Sequence, residues 1–234
     1  MCVDFVAGWV GDSGEVGMLD FPLFQAIVNG FAYGNSFSDT SGLSLKSVLD
    51  QDYLYGDHAN EMVVFLDNHD RNRFLTEAGG SVARLQNALT FLFTVRGIPC
   101  VFQGTEQNRG NVYDDLMVGM ADTWNRWCMV QKDANGNVLN NYFNTGTNTY
   151  QLIADLSESK DNYPALSYGT QREMWAEPNI YAFSRRIDTG TNAGDEIICA
   201  FNNSNVKQTV DDTKPFQHIY PRFCRRRGHV GSFC

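Results

Sequence analysis

The chain has no uninterrupted apolar run of about 18 residues, the length a bilayer-spanning helix needs, so no spanning helix is expected. Its six cysteines, Cys2, Cys100, Cys128, Cys199, Cys224 and Cys234, include no C-x-x-C pair. Zinc sites and thioredoxin-type redox motifs depend on that spacing, so neither is indicated. Cys2 and Cys100 fall in apolar runs, where a free thiol behaves as a small hydrophobe. Positive charge is scarce: 18 Lys and Arg stand against 27 Asp and Glu, a formal net charge of −9. An acidic body repels phosphate, which argues against nucleic acid as a partner. What basic charge there is gathers late, at Lys214, Arg222, Arg225, Arg226 and Arg227, with no acidic residue after Lys214. This 214–234 tail lacks helical periodicity and is rich in Cys, Pro, Phe and Gly, so it reads as a non-native or disordered extension. Met1 lacks the basic start, apolar stretch and small-residue cleavage site of a secretory signal. It runs directly into CVDFVAGWV, which reads as a core strand, so the natural N-terminus is expected elsewhere.

Apolar side chains are plentiful: 43% of residues are hydrophobic and 13% aromatic, enough for a packed core. The most informative stretch is Met62–Asp70, MVVFLDNHD, followed by Arg71, Asn72, Arg73 and Phe74. A β-branched run of strand length, typical of a strand buried on both faces, ends abruptly in carboxylates, an amide and an imidazole. Gly97–Gln107, GIPCVFQGTEQ, repeats the pattern and ends in Gly, Thr and Glu. Between them, Ser81 is a plausible N-cap for a helix over Val82–Arg96, with Leu85, Leu89, Leu92 and Phe93 at helical spacing. Strand, helix and strand make a βαβ crossover and so a parallel pairing. In such sheets the carboxyl ends of the strands form the rim where ligands bind.

Elsewhere, Cys2–Val10 reads as a strand and 11–14 as a turn; Met18–Leu23 is a short strand leading into a helical stretch to Phe31. Leu43–Leu49 reads as helical. The Asn- and Gly-rich segment 107–148, with Trp124 and Trp127, is long enough to shape a binding cleft. Tyr150–Ser159 reads as a helix. Ile180–Arg186 and Asp195–Asn202 read as strands joined by a turn at Gly190–Gly194.

These stretches together resemble the alpha-amylase family of glycoside hydrolases and glucanotransferases. There the seventh barrel strand ends in F-x-x-N-H-D, matched by Phe65, Asn68, His69 and Asp70. The eighth reads G-I/V-P-x-x-Y-x-G-T/D-E, matched by Gly97, Pro99, Gly104, Thr105 and Glu106, with Phe102 where Tyr is usual. The Leu19-Asp20-Phe21-Pro22 sequence resembles the sixth strand, and GTEQ, Tyr168-Gly169 and IYAFSRR resemble maltogenic amylases and cyclodextrin glucanotransferases. The resemblance implies the second half, strands five to eight, of a (β/α)8 TIM barrel over residues 1–172. An incomplete antiparallel β domain follows over 173–213.

By resemblance Asp70 is the carboxylate that stabilises the oxocarbenium-like transition state, and His69 the imidazole that binds the sugar. Asn68, Arg73 and Trp9 join the substrate-binding set. Glu106 is expected to play a structural hydrogen-bonding part. Retaining glycoside hydrolysis also needs a nucleophile and an acid about 5 Å apart. The family's G-F/L-R-x-D-x-x-K-H nucleophile pattern does not occur in this chain. Trp9 occupies or abuts the position of the acid glutamate, and Glu15 lies on the following loop. The expected function is therefore a fragment of a retaining enzyme acting on α-1,4-glucans, inactive by itself. The alternative is a non-catalytic glucan-binding relative that uses Trp9, Trp124 and Trp127 beside His69 and Asp70. The family further implies calcium, whose ligands are not identifiable in this chain, and an extracellular location. A half barrel with open strand edges is expected to dissolve poorly.

Overall fold

The structure is a computed structural model that describes residues 2–10, 17–111, 125 and 128–209. The basic tail, Glu15, Trp124 and Trp127 lie outside the described residues. The chain opens with a short helix, α1 (Val3–Ala7), whose Val3 and Val6 are buried. The strand expected over Cys2–Val10 is not formed. A short apolar run fits a buried helical turn as well as a strand, and here the turn wins, closed by Gly8 at its C-cap.

Leu19 makes a single parallel bridge to Val63, and Asp20 then ends the extended segment by capping α2 (Phe21–Ile27). Its carboxylate accepts from Leu23 N at 3.0 Å, and Pro22 sits in the first turn, where a missing N–H costs nothing. A π-helical turn (Val28–Ala32) continues α2. The third helix, α3 (Leu45–Leu49), starts with a reciprocal Ser44–Ser47 capping box. A 3-10 segment (Asp52–Glu61) leads into β1 (Val63–Phe65).

After the polar turn at residues 67–73 come α4 (Phe74–Glu77) and α5 (Val82–Thr94). Ser81 caps α5, and Leu85, Ala88, Leu89, Phe91, Leu92 and Phe93 on it are buried. The helix ends at Thr94, short of the expected Arg96; Gly97, three residues on, has φ +99°, and a Cβ there would come within 2.5 Å of Met62 O. Only glycine allows that left-handed bend and so close an approach to the neighbouring strand. Strand β2 (Ile98–Cys100) then pairs in parallel with β1, Val63 opposite Ile98. The expected βαβ crossover is present. Among the described residues β2 pairs with β1 alone, and its Ile98 is 52% exposed.

Beyond β2, a hairpin of β3 (Val130–Lys132) and β4 (Val138–Asn141) precedes α6 (Asn148–Asn162) and the short α7 (Pro164–Tyr168). The chain then forms an antiparallel sheet of β5 (Thr170–Ala176), β6 (Ile180–Arg186) and β7 (Glu196–Asn202), with β6 central. The expected boundary between residues 172 and 173 falls inside β5. The sheet shares the main core: Tyr181, Phe183 and Phe201 join Phe31, Phe37 and Phe91 in one buried cluster. The Phe91 and Phe201 rings meet edge to face at 5.2 Å.

No described helix is long and apolar enough to cross a membrane. Cys2, Cys100, Cys128 and Cys199 are free thiols.

Candidate functional site

The polar turn that leaves β1 is built in two layers. The inner layer is a fixed support. Asp67, the first residue after the apolar run, is buried; its carboxylate accepts from Phe74 N at 3.0 Å and from Thr105 Oγ1 at 2.8 Å. Burial raises its pKa, against the pull of the Phe74 amide, the Arg73 charge and the Thr105 hydroxyl. Arg73 is buried as well, not a solvated loop cation. Its Nη1 donates to Gln103 O at 2.7 Å and its Nη2 to Asn125 O at 3.3 Å. The guanidinium lies 4.2 Å from the centre of the Phe102 ring, so the Phe that stands in place of Tyr supplies a face to stack on.

Asn125 completes the support, donating from Nδ2 to Asn68 O at 2.5 Å and to Arg71 O. Asn111 Oδ1 accepts from Arg73 N at 2.7 Å, while Asn111 Nδ2 donates to Asn72. Two segments after β2 therefore clamp the turn after β1. Glu106 is half-buried and accepts from Gly104 N at 2.7 Å, holding the loop that follows β2.

The outer layer is the part a ligand can reach. Asn68 Oδ1 accepts from Asp70 N at 2.9 Å, an Asx turn that turns His69 and Asp70 outward. Both side chains are more than half exposed, 56% and 57%, and His69 Nε2 lies 3.2 Å from Asp70 Oδ2. A carboxylate and an imidazole side by side, on a backbone pinned from beneath, suit hydrogen bonding to vicinal hydroxyls.

Of the five site residues expected from sequence, Asn68, His69 and Asp70 share this turn. Arg73, three residues on, points the other way and serves as its anchor; its place in the substrate-binding set does not match where its guanidinium goes. Trp9 comes from a separate element, just after α1, with its side chain 53% exposed. Asp67 and Asn125 were not assigned a part in the site from sequence, and Thr105 entered only as a motif match. A carboxylate directly at the end of an apolar run is the signal that could have marked Asp67.

Residues 4–163 match the family model for the alpha-amylase catalytic domain. The chain belongs to the alpha-amylase family. It is 36% identical over 198 residues to a beta/alpha-amylase of Paenibacillus polymyxa, covering 82% of this chain and 14% of that one. It is 32% identical over 154 residues to a cyclomaltodextrin glucanotransferase of Thermoanaerobacterium thermosulfurigenes, covering 66% of this chain and 18% of the relative. The chain thus spans under a fifth of the length of these two relatives. Among solved structures, the cyclomaltodextrin glucanotransferase CldA superposes with TM-score 0.63 at 27% identity, over 85% of this chain and 35% of CldA. These structural neighbours are (β/α)8 barrel proteins, and the alpha-amylase assignment read from the N-H-D and G-T-E motifs stands.

Among the described residues no three of His, Cys, Asp and Glu gather to hold a metal ion. Buried Asp20 and partly exposed Asp52 lie close together, and both are engaged by Arg96.

Proposed function

We propose that this chain is the part of an alpha-amylase-type catalytic domain that carries its sugar-binding rim. In this reading Leu19, β1 and β2 correspond to the sixth, seventh and eighth barrel strands. Asp70 is the carboxylate that hydrogen-bonds sugar hydroxyls and favours the oxocarbenium-like state, and His69 binds the same sugar. The substrate class is α-1,4-glucan, handled by a retaining hydrolase or glucanotransferase, in an exported protein. One observation carries the reading: His69 and Asp70 stand together, exposed, at the carboxyl end of a parallel strand, on a turn locked by Asp67, Arg73 and Asn125.

The chain by itself binds and does not cleave. A covalent glycosyl intermediate needs a nucleophile and an acid, and neither family pattern is present in the sequence. Calorimetric titration with maltotriose or acarbose tests this, with Asp70→Asn and His69→Ala beside the parent chain. Loss of a charge-assisted hydrogen bond is worth about 1.5–3 kcal/mol, so each variant should bind at least about tenfold more weakly. Unchanged affinity in both would remove the rim from the account, and sustained release of reducing sugar by the parent chain would overturn the inactive reading.

A further inference from the structure

We propose that Glu77 is a positioning residue for the sugar-binding turn, a role that rests on reading His69 and Asp70 as the rim. It acts through the side-chain amides of Asn72 and Asn111 on Arg73, where the turn leaves the rim and enters α4.

An asparagine amide has an oxygen that accepts and a nitrogen that donates, and either can face a given neighbour. Its orientation is therefore set by the groups at its two ends. Glu77, the last residue of α4, offers carboxylate oxygens, which only accept. Asn72 Nδ2 donates to Glu77 Oε1 at 2.6 Å. That leaves Asn72 Oδ1 to accept from Asn111 Nδ2 at 2.9 Å, and Asn111 Oδ1 to accept from Arg73 N at 2.7 Å. The Arg73 N–H only donates. Two reversible amides thus run between a fixed acceptor and a fixed donor, and one arrangement satisfies every link. Flipping Asn72 would set oxygen against oxygen at Glu77 and nitrogen against nitrogen at Asn111.

Glu77 is itself held in place. Its Oε2 accepts from the hydroxyl of Tyr33, the residue after the π-helical turn that continues α2. Burial, and then this carboxylate, push the Tyr33 pKa up to about 12, so the phenol stays a donor at neutral pH. Thr76, one residue before Glu77, accepts from Asn111 N at 2.7 Å through its Oγ1. The short α4 therefore grips the segment after β2 twice, once directly and once through Asn72. The Arg73 backbone fixed in this way carries the guanidinium that reaches Gln103 O and Asn125 O beneath the rim.

The test uses the intact chain, with maltotriose as the probe. Glu77→Met keeps the side-chain length and removes the acceptor, while Glu77→Gln gives an acceptor back. Circular dichroism confirms that both variants are folded. In Glu77→Met the Arg73 amide should exchange its hydrogen faster, and maltotriose should bind roughly two- to tenfold more weakly, the span of a positioning effect. Glu77→Gln should return both readouts towards the parent. An Arg73 amide and an affinity unchanged in Glu77→Met would overturn the proposal, even with a lowered melting temperature, because the contact would then only stabilise. A Gln variant as weak as the Met variant would overturn it too, since charge and not amide orientation would be at work. The exchange readout needs no sugar. If it responds as expected while Asp70→Asn and His69→Ala bind like the parent, the relay stands and the rim reading fails.

Discussion

Thr105 donates its hydroxyl to Asp67 Oδ1 at 2.8 Å, tying together the carboxyl ends of β1 and β2 across 38 residues of sequence. Asp67 is otherwise held by the Phe74 amide. Thr105→Val keeps the shape and removes the donor, which should cost about 1–3 kcal/mol, the price of leaving a buried acceptor short of a partner. Urea denaturation measures it. The variant should also push the already raised pKa of Asp67 further up. A carboxyl whose folded pKa is raised holds its proton longer than the unfolded chain does, so its contribution to stability falls as pH rises through that window. Acid tolerance of the variant relative to the parent checks the sign.

Arg73 acts on the rim from below. Arg73→Lys keeps the charge but loses the planar fork that reaches both Gln103 O and Asn125 O and stacks on Phe102. Amide hydrogen exchange should speed up across 68–71, the turn those contacts clamp. Glucan affinity should fall with it although the side chain touches no sugar. Exchange unchanged from the parent would mean that Asn125 and Asp67 suffice to fix the turn.

The elements most legible in the sequence are those whose periodicity is unambiguous. The apolar run before Asp67, the amphipathic α5 and the alternating Ile180–Arg186 each form where their pattern places them. Strand β5 is different: TQREMWA carries too many polar residues for its first half to stand out, so the sheet begins at Thr170, before the composition shift at Glu173. Arg73 and Arg96 show a second limit. An arginine beside a polar turn or at a helix end looks like a surface charge. Here both are buried because their partners, Gln103 O and Asn125 O for one and Asp20 and Asp52 for the other, come from distant segments. Only the fold brings those groups within reach.

Shared packing sets how the chain unfolds. Phe91 on α5 touches Phe31, Phe183 and Phe201, so the antiparallel sheet and the βαβ unit bury their aromatic rings in one place. Phe91→Ala should cost about 3–5 kcal/mol. The parent should melt in one calorimetric transition, and the variant in one transition at lower temperature. Two separated transitions, with only one moved by the substitution, would show that the sheet is an independent unit.

Lys160 should make stability depend on pH in the alkaline range. Burial, and then the charge of Arg185, lower its pKa from 10.5 to about 8. Arg185 faces it from β6, with Arg96, Asp52 and Cys199 acting in turn on Arg185. Between those two values the unfolded chain holds a proton that the folded chain has released, so stability rises with pH across the window. The free energy of unfolding should therefore carry a contribution from Lys160 that climbs from pH 8 towards pH 10. Lys160→Met should be more stable than the parent at pH 7 and should lose that contribution. Urea midpoints of the two proteins at pH 7, 8, 9 and 10 check it: their difference should shrink as pH rises, and a difference that stays constant would show that Lys160 does not titrate in this window.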